Sequence, residues 1–296
     1  MSNRNLIRNH QRAFSLIEIM VAVSLLTVIT VGLLAMFYHT QRAFRIGTSQ
    51  VDVLEGGRAT LRMVALDLQE MYPSRIDRIV NLQAEPSGTV RIDMPLPNNA
   101  IMENLLQDVA FLTRRGNEWT ATSYRVAHTN GAGTLYRCVL STNLGDFLNA
   151  PGGSASNQWA VVSNLFWTAT QPANPSIGNA TTPYLPFDRI ADGVVHFRIH
   201  AYDNKGIRLV ETNSVYARNW NENYNFTNWV PEYVELELGI LDPKAMKQFQ
   251  AREGTTSAAH QAQQDYLQKQ GYRTHFFHQR VQIRSRREEF DLFAGP

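Results

Sequence analysis

Arg12-Ala13-Phe14-Ser15-Leu16-Ile17-Glu18 opens a run in which no charged residue occurs from Ile19 to Tyr38. At about 1.5 Å rise per residue such a run spans roughly 30 Å as a helix, the thickness of a bilayer core. Glu18 stands at its head as the first acidic residue of the chain. A carboxylate at that depth in lipid costs about 3 kcal/mol on insertion scales and calls for a partner. The amino terminus of a neighbouring copy, freed by cleavage, would supply one.

The order of these residues resembles the class III signal of type IV pilins and pseudopilins. In that family a short basic leader ends in a small residue, followed by Phe-(Thr/Ser)-Leu-(Ile/Leu)-Glu and an apolar helix. The resemblance implies a leader of residues 1–13, with Arg4, Arg8 and Arg12 as its charges. It implies cleavage between Ala13 and Phe14 by prepilin peptidase, methylation of the Phe14 amine, and pairing of Glu18 with a neighbour's N-terminus during assembly. The family usually has Gly before the cut; this chain has Ala13, whose side chain is still small enough for a narrow protease subsite. An ordinary signal anchor has no reason to place Phe14, Leu16, Ile17 and Glu18 in that order. A cleaved secretory signal fits worse, because its apolar core is typically about 7–15 residues and ends in a small-x-small site.

Composition fits a membrane-tethered globular chain. There are 296 residues, 44% hydrophobic and 18% charged. Losing the three leader arginines takes the formal net charge from +2 to −1, which gives no general attraction to nucleic acid or acidic lipid. Cys138 is the only cysteine, so an intrachain disulfide and a multi-cysteine metal site are both excluded. Major type IV pilins often close a loop with a disulfide, so its absence leans towards a pseudopilin or minor pilin. Cys138 reads as a buried thiol on a strand. The basic residues flanking the apolar run, Arg4, Arg8 and Arg12 before it and Arg42 and Arg45 after it, give only a slight positive-inside bias. The resemblance implies a cytoplasmic leader and a periplasmic C-terminal domain on the bacterial inner membrane.

Working outward, no proline occurs before Pro73. Val51, Leu54, Leu61, Val64 or Ala65, and Leu68 recur at helical spacing. One helix is therefore predicted from about Ser15 to Glu70, apolar in its first half and amphipathic in its second, with Gly56-Gly57 as an interruption. Beyond Pro73 the period becomes two. Strands are predicted over 89–94, 109–113, 123–127, 134–140 and 158–168, with Gly131-Ala132-Gly133 as a turn. Residues 149–157 and 171–183 read as loops. Val195, Phe197 and Ile199 begin a hairpin that turns at Asp203-Asn204-Lys205-Gly206 and returns over 207–211. Val234, Leu236, Leu238 and Ile240 mark another strand. Asp242-Pro243 starts a polar helical stretch, broken at Gly254 and closed by Gly271. A last strand runs over 275–284.

The predicted fold class is α+β: a long N-terminal helix, transmembrane in its first half, packed on an antiparallel sheet as in pilins. The predicted division is a leader (1–13), an apolar transmembrane and polymerisation helix (14–46) and a periplasmic domain (47–296). That domain comprises an amphipathic helix half (47–71) and a β-rich part (75–296) with a polar helical insertion (243–271).

A second, looser resemblance concerns the minor pseudopilin J of type II secretion. Arg189-Ile190-Ala191-Asp192-Gly193-Val194 leading into Phe197-Arg198 and the 203–206 turn is similar to a stretch of that family. So are Val230-Pro231-Glu232-Tyr233-Val234-Glu235-Leu236 and the helix end Leu61 to Tyr72, containing Leu66-Asp67-Leu68. Residues 243–271 and the long loops before Pro183 depart from it.

No residue set points to catalysis. His196 and His200 have the spacing that binds zinc on a helix, but on a strand they lie about 13 Å apart; an exposed strand face is expected for them, and a solvated face for Glu235 and Glu237. His275 and His278 point to opposite faces. Asp203-Asn204-Lys205-Gly206 lacks the oxygen-rich loop of a calcium site. Asn179-Ala180-Thr181 and Asn225-Phe226-Thr227 match a glycosylation sequon but read as loop sequence. Arg284-Ser285-Arg286-Arg287 is offset at once by Glu288-Glu289. No Gly-rich phosphate loop or nucleophile elbow occurs. No enzyme, cofactor, metal or nucleic-acid partner is expected. The expected partners are prepilin peptidase, other pseudopilins or pilins, and the membrane. Three function classes follow: a structural subunit of a pseudopilus or pilus; a binding module on such a filament, using the aromatic stretch Trp220 to Trp229; and, least supported by the residues, a membrane-tethered enzyme.

Overall fold

The computed structural model describes residues 15–74, 79–87, 91–95, 101–143, 158–170, 187–209, 223–227 and 229–284. The chain divides into two units, Met1–Val51 and Asp52–Pro296.

Helix α1 runs Leu16–Gln69 as one element, within a residue of the predicted bounds at each end. Its part in the first unit keeps its large apolar side chains exposed, Leu16, Leu26, Val28 and Phe37 among them. α1 is long and apolar enough to cross a membrane.

In the second unit α1 buries Val53, Gly57, Thr60, Leu61, Val64, Ala65 and Leu68. The predicted stripe was out of phase at its start: Val51 is 50% exposed, and Val53 takes the buried position. At Gly57 a Cβ would overlap the Phe277 ring, so the helix turns its bare glycine backbone to that ring. Gly56, beside it, faces open space.

The sheet has eight strands in the order β10-β9-β7-β6-β5-β4-β1-β8. These are β1 (Val80–Pro86), β4 (Gln107–Arg115), β5 (Glu118–Thr129), β6 (Ala132–Asn143), β7 (Phe187–Tyr202), β8 (Tyr224–Thr227), β9 (Tyr233–Leu241) and β10 (Thr274–Gln282). Every neighbouring pair is antiparallel. A separate pair joins β2 (Asp93–Pro95) to β3 (Ile101–Glu103). The α+β class with an antiparallel sheet is as predicted.

One sheet face packs on the stripe of α1, through Leu82, Phe111, Tyr124, Phe197, Ile199, Leu236, Leu238 and Val281. On the other face, α2 (Gln158–Thr170) covers Leu112, Trp119 and Ala121. Near Val195 and Leu241, α3 (Pro243–Gln250) and α4 (Ser257–Gln270) bring in Phe249, Tyr266 and Leu267. The predicted strand over 158–168 is therefore a helix. Val162, Phe166 and Ala169 recur at helical spacing and all three are buried.

Other expectations need correction. β1 was missed, although Val80, Leu82 and Ala84 alternate. The β5–β6 turn is Asn130-Gly131, both at positive φ (51° and 97°), the conformation of a type I′ hairpin. Gly133 lies instead within β6, where a Cβ would strike the backbone of Ala127 and His128. Gly271 does not close α4 in a left-handed cap: its φ is −54°, and it begins a 3-10 turn through Arg273. Its missing side chain makes room for Met94. Residues 210–211 of the predicted hairpin return, and residues 89–90 of the first predicted strand, lie outside the described residues. The 203–206 turn is present: the Asp203 carboxylate accepts the Lys205 and Ile207 N–H groups, and Tyr202 bridges Arg208. The Asp242 cap is also as read, with its side chain accepting from Lys244 and Ala245 and Pro243 opening the helix.

Candidate functional site

The helix start carries the site. Ser15-Leu16-Ile17-Glu18 forms a reciprocal cap: the Ser15 N–H donates to the Glu18 carboxylate at 3.3 Å, and the Glu18 N–H donates to Ser15 Oγ at 3.3 Å. Each side chain thus satisfies a backbone donor that the first helical turn leaves open. The sequence contained this signal, a Ser three residues ahead of a Glu before an apolar run, and the reading of Glu18 as an assembly residue passed over it. The cap places the carboxylate against the backbone directly after the Phe14 position. Ala13 and Phe14 themselves lie outside the described residues.

Further along, the hydroxyl residues of the apolar run are internally satisfied. Ser24 donates to the Val21 carbonyl at 2.8 Å, Thr27 to Val23 at 2.8 Å and Thr30 to Leu26 at 2.8 Å. A hydroxyl bonded to its own helix adds little cost in lipid, where a free one would be expensive. From Ile19 to Tyr38 the surface that α1 presents is therefore apolar on every side, with Glu18 as the one ionisable group at its head.

The remaining candidates form structural networks rather than an open reactive centre. His196 and His200, expected on an exposed face, are both buried. Glu237 lies between them, 3.1 Å from His196 Nε2 and 3.6 Å from His200 Nε2. Burial pushes the His196 imidazole below its ordinary value. Burial pushes the Glu237 carboxyl up, but hydrogen bonds from the two histidines outweigh it and hold the group ionised. Glu235, also expected to be solvated, accepts the Tyr202 hydroxyl at 2.7 Å. Alternation identified the face of β7 and β9 that lies away from α1; there the Leu105 segment meets His196, and cross-strand partners leave Glu235 and Glu237 half-buried.

Asp67 was missed as a tie between helix and sheet. One of its oxygens accepts both the Tyr124 hydroxyl at 2.5 Å and Arg137 Nε at 2.7 Å. Burial, followed by the Asp67 charge, pushes the Tyr124 phenol up, so it stays a donor. Cys138 is buried, and burial pushes its thiol up, which suits the structural reading. In the aromatic stretch read as a possible binding loop, Tyr224 and Phe226 are core residues of β8, paired opposite Ala84 and Leu82, while Trp229 is 43% exposed. Among the described residues, no three His, Cys, Asp or Glu side chains converge as a metal site.

Residues 8–34 match a family described as the prokaryotic N-terminal methylation motif. No curated protein matches the chain. The matched residues take in Arg8 and Arg12, the Ala13–Phe14 junction, the Ser15–Glu18 cap and the first part of the apolar helix. The N-terminal segment therefore carries a signal of the type IV pilin and pseudopilin kind, of the sort that prepilin peptidase processes.

Proposed function

We propose that this chain is a non-enzymatic structural subunit, a minor pseudopilin of a type II secretion pseudopilus. In this reading it is cleaved after Ala13, methylated on Phe14 and drawn from the inner membrane into a periplasmic filament. One observation carries the proposal: the methylation-type signal leads into an apolar helix whose only ionisable head group is Glu18. A simple anchor needs the apolar length but not the carboxylate, which is costly in lipid unless a second chain neutralises it. The amphipathic continuation of α1, buried on an antiparallel sheet, suits a subunit that presents a folded domain from a filament.

The lack of a possible intrachain disulfide and the looser likeness of the 189–206 and 230–236 stretches to pseudopilin J favour the secretion reading. A minor pilin of a type IV pilus is the second reading, supported by the same N-terminal signal. Intact-mass analysis of the membrane-purified protein tests the processing step. The expected mass begins at Phe14 and carries one methyl group; any other first residue overturns it. Ala13→Gly should be cut at least as well as wild type, and Ala13→Leu poorly, because bulk blocks the subsite. Co-purification with pseudopilins encoded beside it, sized by light scattering, separates the two readings. Small hetero-oligomers support the pseudopilus, and long homopolymers support a pilus.

A further inference from the structure

The sheet face away from the α1 stripe carries a ladder of charge. Arg198 on β7 and His278 on β10 flank Glu237 on β9, and His200 and Arg280 flank Glu235. His196 ends the ladder beside Gly239, with the Phe276 ring at 6.0 Å between centroids. It is fully buried. Its Nδ1 accepts the Leu105 N–H at 3.1 Å, and its Nε2 lies 3.1 Å from a Glu237 oxygen. The first bond sets the tautomer. An accepting Nδ1 carries no proton, so the single ring proton sits on Nε2 and is donated to Glu237.

Leu105 belongs to a short segment, 104–107, that runs beside β7 beyond Val194, where β7 has lost its pairing with β6. The Phe197 N–H donates to the Leu105 carbonyl at 2.8 Å, and the Ile199 N–H to Gln107 Oε1 at 2.8 Å. Leu106 forms a bridge with Phe197. His196 is the one side chain of β7 that holds this segment through an acceptor able to take a proton.

We propose that His196 is an acid-sensitive latch: it holds the 104–107 segment against β7 while neutral and releases it on taking up a second proton. That proton can enter only at Nδ1, where it meets the Leu105 N–H as a second donor. Turning the ring to avoid this breaks the bond to Glu237, and no solvent reaches the site to replace either partner. The groups that act on the ring are Arg198 and His200 from β7, Glu237 from β9 and the Leu105 amide from the adjoining segment; His278 on β10 stands beside Glu237, and Glu235 and Arg280 lie further along the same face. Burial, Arg198 and His200 oppose a charged imidazole, Glu237 favours it, and the balance lies below the ordinary histidine value. With the segment lifted, the ring meets water and regains a value of about 6.5. The closed form then binds fewer protons than the open one below about pH 6.5. Opening should therefore increase about tenfold per pH unit down to the closed-state value, and be flat above about 6.5.

Hydrogen exchange of the full-length protein in detergent micelles, from about pH 8 to 5 and corrected for intrinsic exchange, tests this. The Leu105 amide should lose protection about tenfold per unit below about pH 6.5, while Ala121 and Leu140 at the β5–β6 centre do not. His196→Asn keeps an oxygen acceptor for the Leu105 N–H but cannot titrate, and should give a flat profile. Glu237→Gln keeps an acceptor for Nε2–H and removes the charge that steadies an imidazolium, so its fall should continue to lower pH than in wild type. A wild-type profile without pH dependence overturns the proposal, and so does the same fall in His196→Asn. Should His196→Asn fail to fold, a Glu237→Gln profile identical to wild type overturns it instead.

Discussion

At the scale of single residues, Glu18 caps its own helix and, in the proposed filament, would take a second contact on the same carboxylate. Within its own chain it caps the first turn of α1 by accepting the Ser15 N–H. In a filament it would also meet the amine of a neighbouring Phe14, in a low-dielectric helix bundle where a charge pair is worth far more than at a surface. A carboxylate has two oxygens and about four lone-pair sites, enough for both contacts. Glu18→Ala should therefore be cleaved and inserted like wild type, since the cap contributes only about 1 kcal/mol of local helix stability. It should fail to co-purify with filament partners. Quantitative pull-down from membranes checks this, and recovery of partners at wild-type levels would refute the assembly role.

At the scale of the element, the fit of α1 to the sheet is decided by two adjacent glycines with opposite surroundings. Gly57 faces the Phe277 ring at a distance no side chain allows, and Gly56 faces nothing. Both sit in a helix, where glycine costs about 1 kcal/mol against alanine. Gly56→Ala should stabilise the second unit by up to about 1 kcal/mol. Gly57→Ala must displace Phe277 and should destabilise it by about 1–3 kcal/mol, the usual range for overpacking. Thermal or denaturant unfolding of the two variants side by side measures the contrast; equal effects would mean that α1 does not approach β10 so closely. The adjoining segment 104–107 is the other device at this scale. It meets β7 beyond the end of the β6–β7 ladder at Val194, and it satisfies the backbone donors of Phe197 and Ile199 that the ladder leaves open.

At the scale of the molecule, the two units have opposite surfaces. The first exposes apolar side chains along a helix, and surface of that extent marks a membrane or another chain as its medium. The second closes on its own cores, one on the sheet's α1 face and two on the opposite face, under α2 and under α3–α4. Leu61 sits in the main core at 6% exposure. Leu61→Asp places an unpaired carboxylate there at a cost of about 4 kcal/mol or more, a large share of the roughly 5–15 kcal/mol that holds a domain folded. Limited proteolysis of the full-length protein should show residues 52–296 digested in this variant while the apolar helix stays protected in micelles. Resistance equal to wild type would place Leu61 outside the core.

The parts that the sequence determined alone are those whose cause is local. The apolar run, its capping Ser15 and Glu18, the absence of proline before Pro73 and the Asp242-Pro243 start each follow from neighbouring residues, and α1 and α3 stand where those signals put them. The strands with clean alternation, β7 and β9, were legible for the same reason. What the tertiary structure decided is whatever depends on a distant partner. Position 57 has no room for a side chain because it meets Phe277, 220 positions away in sequence. Residues 158–170 form a helix because Val162, Phe166 and Ala169 find the Trp119 side of the sheet. His196 is a buried acceptor and not a surface histidine because the chain at Leu105 comes alongside β7 and donates to it. Alternation states which residues share a face; only the folded chain decides whether that face meets water or another segment.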